Sequence, residues 1–193
     1  LPGKQANHRA PAALVYADLS GPAPMSPHDV VVPTLTRALR NLDAVLRQGE
    51  AHAKSKNIDP DALLQSRLIQ DMLPLLQQVQ AATDTAKNGT ARLAAVQPPV
   101  FEDNETTFAE LYDRIGRAVT YIGGFDAAAL EGAKSRPVTL ATRRWGEVVF
   151  DDGMAYTSDF LLPNFFFHVV TAYDILRAAG VELGKLDYLG LRR

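Results

Sequence analysis

Two side chains that can take part in proton chemistry lie four residues apart in the most apolar stretch of the chain. They are Asn164 and His168, and Phe and Val residues surround them. On a helix, side chains at positions i and i+4 lie over each other, so both point the same way. Histidine has an unperturbed pKa close to neutrality, which suits an exchange of protons at physiological pH. His168 is therefore the best candidate for a general acid or base.

Two more polar residues, Asp71 and Gln78, fall on the inward stripe of an earlier predicted helix. The rest of that stripe is apolar and consists of Leu64, Leu68, Leu75 and Ala82. A buried carboxylate is strongly destabilising unless it is paired or hydrogen-bonded. We therefore expect these two side chains to meet Asn164 and His168 inside the protein, or to line a cavity with them.

The four polar groups suit metal-independent proton transfer, as in an isomerase or a cyclase. His168 would exchange the proton, and Asp71 would orient or charge-balance its imidazole. Asn164 or Gln78 would hold a substrate carbonyl by hydrogen bonding. These assignments predict a small-molecule-binding protein with an acid–base site.

A core network without catalysis is the alternative interpretation, because buried polar groups are usually just paired. In that case His168 bonds Asn164 or Asp71, and Gln78 bonds a backbone carbonyl. Asp71 could instead form a surface ion pair with Arg67, four residues earlier in the sequence.

The elements that must hold these groups are predicted from apolar residues at helical spacing. Ser26 can cap a first helix that starts with Pro27 and ends near Asn57. Its stripe consists of apolar residues three and four apart, namely Val32, Leu35, Leu39, Leu42 and Leu46. Asp59 can cap the second helix, which Pro74 should kink because proline lacks an amide donor and clashes with the preceding turn.

The third helix is predicted to begin at the capping box Thr107–Glu110 and to stop at Gly123–Gly124. A small hairpin follows, with strands at Val138–Leu140 and Glu147–Phe150. Together with a fourth helix, this order predicts an all-α fold, an up-down four-helix bundle with a β-hairpin between helices 3 and 4.

The fourth helix carries apolar residues on all sides and is predicted to be the most buried of the four. It should begin between Tyr156 and Asp159 and end at Gly180, a residue type that suits the left-handed C-terminal position. Phe165 or Phe167 would line the cavity beside the polar groups, and we expect Phe167 in the core.

Composition excludes several classes of protein. The 193 residues carry 20 Lys and Arg against 22 Asp and Glu, a net charge of -2, so no overall field favours nucleic acid. The absence of cysteine excludes disulfides and thiolate metal sites.

No uninterrupted apolar run predicts a membrane span or a secretory signal, and we expect a cytoplasmic location. Residues 1–25 are expected to form an extension, and residues 26–193 a single domain.

Several blocks of the sequence resemble a bacterial and fungal domain-of-unknown-function family. They are Asp71–Pro74 with Gln78–Gln80, Phe101–Asp103 with Glu105–Leu111, and Leu162–Tyr173 with the segments that follow it to Gly190. The resemblance covers residues 26–190, and the combination of blocks is specific. That family is similar to the DinB-like bundles, whose characterised members include metal-dependent, thiol-using transferases and isomerases.

The DinB-like resemblance implies a metal site built from three histidines. One lies on the second helix and two lie at i and i+4 on the fourth. In this sequence the three positions correspond to a residue near Asp71, to Asn164 and to His168, so only one histidine is present. Asparagine is a poor ligand for zinc or nickel. We therefore predict no bound metal and no cofactor.

Two alternatives to metal-independent catalysis stay open. In the first, a divalent ion held weakly by Asp71 and His168 gives a transferase or hydrolase of the DinB-like type. In the second, the chain is a non-catalytic binding or assembly protein.

The expected partners are a small-molecule ligand and a second copy of the chain, but neither nucleic acid nor a membrane. We expect a homodimer because three helices and a hairpin leave part of the fourth helix uncovered, unless the tail Asp187–Leu189 covers it.

Overall fold

The computed structural model describes residues 25–142 and 146–191 and is mostly helical. The predicted extension, except Met25, and the tip of the hairpin lie outside these ranges. The elements in chain order are α1 Pro27–Ser55, α2 Pro60–Leu63, α3 Leu75–Leu93, α4 Phe108–Gly123, α5 Ala127–Glu131, β1 Val138–Thr142, β2 Gly146–Phe150, α6 Gly153–Tyr156, α7 Leu162–Ala178 and α8 Lys185–Tyr188. A short 3₁₀ turn follows α5, and a π-helical turn, Thr157–Leu161, joins α6 to α7.

The predicted cap at Ser26 and the predicted capping box at Thr107 are both confirmed, and Ser26 also forms a capping box. The Ser26 hydroxyl accepts from the amide of Asp29 at 3.2 Å, and the Asp29 carboxylate accepts from the amide of Ser26 at 3.0 Å. The same reciprocal pair joins Thr107 and Glu110 at the start of α4. These bonds satisfy amide groups that have no partner inside the helix, and so they set where α1 and α4 begin.

The predicted second helix is wrong in one respect. Helix α2 ends at Leu63, an irregular segment follows, and Pro74 is the residue that precedes the first turn of α3. Proline has no amide to bond within a helix but loses nothing at a helix start, where such amides are unpaired anyway. Pro74 therefore begins a helix here and does not kink one.

Four long helices pack in a ring. Helix α1 packs against α4 and α7, and α3 packs against the same two helices from the other side. The core between them is formed by aliphatic and aromatic side chains, of which the largest fully buried ones include Leu35, Leu39, Leu46, Leu75, Phe108, Leu111, Ile122 and Phe165. The predicted hairpin forms: its strands pair antiparallel with Val138 opposite Phe150, and β2 contacts α6.

A buried arginine ties the segment between α3 and α4 to the helices. Arg114 is fully buried, and its Nε donates to the hydroxyl of Thr83 at 2.7 Å. Its two terminal nitrogens lie 3.0 Å from Glu105, 3.0 Å from Asp84 and 2.8 Å from Asp103. Four surrounding oxygen groups thus compensate the removal of this guanidinium from water.

The π-helical turn Thr157–Leu161 ends two residues before Pro163 of α7. Pro163 cannot donate to the carbonyl of Asp159, and in an α-helix its ring would clash with that carbonyl. A wider turn relieves the clash. Before the turn, Tyr156 accepts a hydrogen bond on its hydroxyl from Arg92 at 2.8 Å.

None of the helices within residues 25–142 and 146–191 combines the length and apolar character that a bilayer crossing requires.

Candidate functional site

His168 on α7 is hydrogen-bonded to Gln78 on α3. Its Nδ1 lies 2.8 Å from Oε1 of Gln78, whose side chain is only 1% exposed. The amide nitrogen of Gln78 donates to the carbonyl of Leu73 at 3.2 Å, and this bond fixes which end of the amide faces the imidazole. Because an amide oxygen only accepts, Nδ1 must carry the hydrogen and donate. The lone pair of the neutral imidazole is then on Nε2.

The imidazole is half-buried, and burial lowers the pKa of His168 below its ordinary value of 6.5. A neutral ring is therefore the dominant form at pH 7. Within the described part of the chain, no hydrogen bond engages Nε2. This nitrogen can accept a proton or a hydrogen bond from a molecule outside the protein.

Asn164 points toward α3, as predicted, but it bonds a residue that the sequence reasoning missed. Its amide nitrogen donates to the hydroxyl of Thr85 at 3.0 Å. Thr85 follows Gln78 by seven residues, two helical turns, so both lie on the face of α3 that meets α7. That spacing was the signal that could have identified it. The site therefore consists of two neighbouring pairs between the same two helices.

Asp71 is not part of this site. It is exposed on the irregular segment between α2 and α3, and no hydrogen bond or ion pair among the described residues joins it to His168 or to Arg67. Arg67 instead donates to the carbonyl of Met72 at 2.8 Å. The expected contact fails because the helix that would have turned Asp71 inward does not form before Pro74.

The two phenylalanines are placed in opposite environments. Phe165 is fully buried and packs edge-to-face against Phe166, with ring centroids 5.1 Å apart. Phe167 is 55% exposed, so the expectation that it belongs to the core is wrong. Residues two apart on a helix are separated by about 200 degrees, so both cannot face the core. The ring of Phe167 lies edge-to-face against the imidazole of His168 at 5.3 Å.

The side chains around His168 do not fit the three-histidine metal site that the DinB-like pattern implies. One imidazole, the amides of Gln78 and Asn164 and the hydroxyl of Thr85 are the donors present, and neutral amides and hydroxyls are poor ligands for zinc or nickel. Gln78 and Asn164 also direct polar atoms to Leu73 and Thr85. Across residues 25–142 and 146–191, no group of three His, Cys, Asp or Glu side chains is placed to hold a metal ion.

A cavity of about 680 Å³ lies on the other flank of α7. Phe166, Val169 and Tyr173 line it from α7, and the opposite wall is α1. None of the six predicted site residues lines this cavity. The predicted polar groups and the cavity are therefore separate features of the molecule.

The mostly helical architecture, with one small antiparallel hairpin, defines a helical domain of the DinB-like type. A crystal structure of a DinB family member protein from Shewanella denitrificans is similar to it, with a TM-score of 0.76 and 41% sequence identity over 84% of this chain and 91% of that chain. Residues 28–189 match DUF1993, a domain of unknown function. The chain belongs to the DUF1993 family. A search among curated proteins found no match.

Proposed function

We propose that the chain is a small-molecule-binding, DinB-like four-helix bundle in which His168 acts as a metal-independent general base, as in an isomerase or cyclase. The observation that carries the proposal is the bond from Nδ1 of His168 to Gln78. It holds the ring in one tautomer, with the lone pair on Nε2. A neutral imidazole held in this way is the form that removes a proton from carbon or oxygen.

The surroundings of His168 support an approach by a small molecule from the side of Phe167. That ring is exposed and adjoins the imidazole, so it offers an apolar contact for a bound substrate. Asn164 has an amide oxygen beside its bond to Thr85, and this oxygen can accept a hydrogen bond from a substrate. Phe165 supports the helix from inside and does not contact the ligand. Asp71 has no role in this proposal.

Proton exchange from solvent tests the proposal without knowledge of the natural substrate. The purified chain, dialysed against EDTA, is incubated in D₂O with a panel of carbonyl compounds that carry acidic C–H groups, and deuterium uptake is followed by ¹H NMR. We expect protein-dependent uptake in at least one compound. We expect His168→Gln to lower the rate at least about a hundredfold, the usual contribution of a general base.

His52→Gln is the matched control, because it replaces another half-buried histidine, at the end of α1 and outside the site. It should leave the exchange rate unchanged. Absence of uptake across the panel, or equal rates in the wild type and His168→Gln, would reject the general-base role.

A second candidate function, non-catalytic binding, is favoured by two observations. Gln78 is engaged at both ends of its amide, and the cavity of about 680 Å³ lies away from His168. A polar pair of this kind can serve only to align α3 with α7. In that case binding would occur in the cavity, and His168→Gln would change neither proton exchange nor ligand affinity.

A further inference from the structure

The cavity between α1 and α7 is closed on one side by a segment that is held by specific contacts. Tyr188, the last residue of α8, and the three residues after it, Leu189–Leu191, form this segment. The amide of Asn41 on α1 donates to the carbonyl of Tyr188 at 3.1 Å. Tyr188 also packs edge-to-face against Tyr173 of α7, with ring centroids 5.8 Å apart. These contacts join the segment to both walls of the cavity.

Gly190 makes the closure possible. Its φ of +67° lies in the left-handed region that favours glycine. A Cβ at this position would also lie 2.9 Å from Cγ of Asn41. Any other residue at 190 would therefore strain the turn over Asn41, and this turn brings Leu189 and Leu191 to the lining of the cavity.

The interior of the cavity is mainly apolar. Its aliphatic and aromatic walls are formed by Ala38, Leu42, Val45, Phe166, Val169 and Leu189. A volume of about 680 Å³ is within the range of pockets that bind small organic molecules, roughly 300 to 1,000 Å³. Burial of an apolar ligand body against these walls would supply most of the binding free energy.

Among the described residues that line the cavity, Arg37 is the one with a positive charge. Arg37 is exposed, and no described residue forms an ion pair or hydrogen bond with its guanidinium. None of the described lining residues is acidic. Thr34 and Tyr173, whose side chains carry hydroxyl groups, also line the cavity. A guanidinium that has no carboxylate partner among the described residues, beside apolar walls, is suited to bind one planar anionic group.

We propose that this cavity binds an amphipathic monocarboxylate, with the acidic group at Arg37 and an aliphatic or aromatic body between α1 and α7. The site is independent of the general-base role proposed for His168. A cationic ligand would meet Arg37 unfavourably, and a polyanion would find only one cation among the described lining residues.

Isothermal titration calorimetry with octanoate and 1-octanol tests the proposal on the full chain. The two probes share an apolar chain and differ in the carboxylate. We expect saturable binding of one octanoate per chain and about tenfold weaker binding of 1-octanol, in line with the loss of one charge-assisted interaction. Arg37→Gln should weaken octanoate binding about tenfold and leave the affinity for 1-octanol unchanged.

Arg40→Gln is the matched control for charge, because Arg40 is also exposed on α1 but does not line the cavity. It should change neither affinity. Ala38→Trp fills the cavity from α1 and should abolish the binding of both probes, with circular dichroism used to verify that the helices persist. The proposal is overturned if octanoate fails to bind the wild type at millimolar concentration, or if it binds Arg37→Gln or Ala38→Trp as tightly as the wild type.

Discussion

Gln78 of α3 accepts a hydrogen bond from Nδ1 of His168 on α7, over 2.8 Å. The amide nitrogen of the same glutamine is held by the carbonyl of Leu73, just before α3 begins. One side chain therefore links the start of one helix to the middle of another and sets the tautomer of an imidazole on the way. The pair explains why a buried glutamine stands on an otherwise apolar stripe.

The stability of the protein should depend on pH through His168. Its pKa is lowered by burial in the folded state, so the unfolded chain binds more protons between the folded and unfolded pKa values. The free energy of unfolding should therefore fall as the pH drops through about 6.5, the unfolded value. Urea titrations between about pH 7.5 and about pH 5.5 should show this loss in the wild type and in His52→Gln, but less of it in His168→Gln. Parallel pH profiles for all three proteins would contradict the shift.

The two phenylalanines should differ sharply in their contribution to stability. Phe165→Ala removes a fully buried ring and should cost about 3 to 5 kcal/mol of unfolding free energy. Phe167→Ala removes a ring that is 55% exposed and should cost less than about 1 kcal/mol. Urea denaturation of each variant in a Val170→Glu background, which should keep the chain monomeric, measures both values. Equal losses there would contradict the exposure of Phe167 within a single chain.

Arg114 should be the most sensitive charged residue. Arg114→Met removes the guanidinium that hydrogen-bonds the buried Glu105 and should cost about 3 to 5 kcal/mol. Arg117→Met is the control, because Arg117 is about half exposed and its loss should cost no more than about 1 kcal/mol. Hydrogen bonds from Gln80 and Arg114 outweigh the effect of burial and lower the pKa of Glu105. The wild type should therefore lose stability as the pH falls through that lowered pKa, and Arg114→Met should lose less.

Purified protein should carry no stoichiometric zinc or nickel, because only one imidazole and two neutral amides are present where three histidines would be needed. Mass spectrometry of the metal content measures this directly. A full equivalent of either ion in the wild type, lost in His168→Ala, would overturn the prediction and favour a metal-dependent transferase or hydrolase.

We predict a homodimer, and we expect the exposed surface of α7 to form it. Phe167 and Val170 are exposed on this helix, whereas the flank that carries Tyr173 is packed by Tyr188. Light scattering at micromolar concentration should give twice the chain mass for the wild type and the monomer mass for Val170→Glu. A monomeric wild type would refute the prediction.

The regular parts of the fold could be predicted because local signals and apolar spacing agree there. Ser26 and Thr107 cap their helices, Gly180 adopts the left-handed conformation with a φ of +88°, and the hairpin forms where alternating residues predicted it. The segment around Pro74 was predicted wrongly because a proline inside an apolar stripe fits both a kinked helix and a helix start. Only tertiary packing decides between them.

The part of the site that depends on spacing within one helix was also predictable. Asn164 and His168 share one helix, so their common direction follows from spacing alone. Gln78 was placed correctly because it lies inside α3. The predicted inward position of Asp71 required one continuous helix up to Pro74, but α2 ends at Leu63. Phe167 was assigned to the core because α7 is apolar on all sides. Such a pattern does not show which side of the helix is covered.

The π-helical turn Thr157–Leu161 bears on how homologues of this chain can vary in length. Such a turn holds one more residue than an α-helical turn, so the helix before it is rotated by about 100 degrees relative to the helix after it. Deletion of one residue here would swing Tyr156 away from Arg92 and from Phe150 of the hairpin, to which it packs at 5.3 Å. Asn164 and His168 would keep their positions, because they lie after the turn. Insertions and deletions at this point would therefore remodel the hairpin end of the molecule during evolution without disturbing the contact between α3 and the middle of α7.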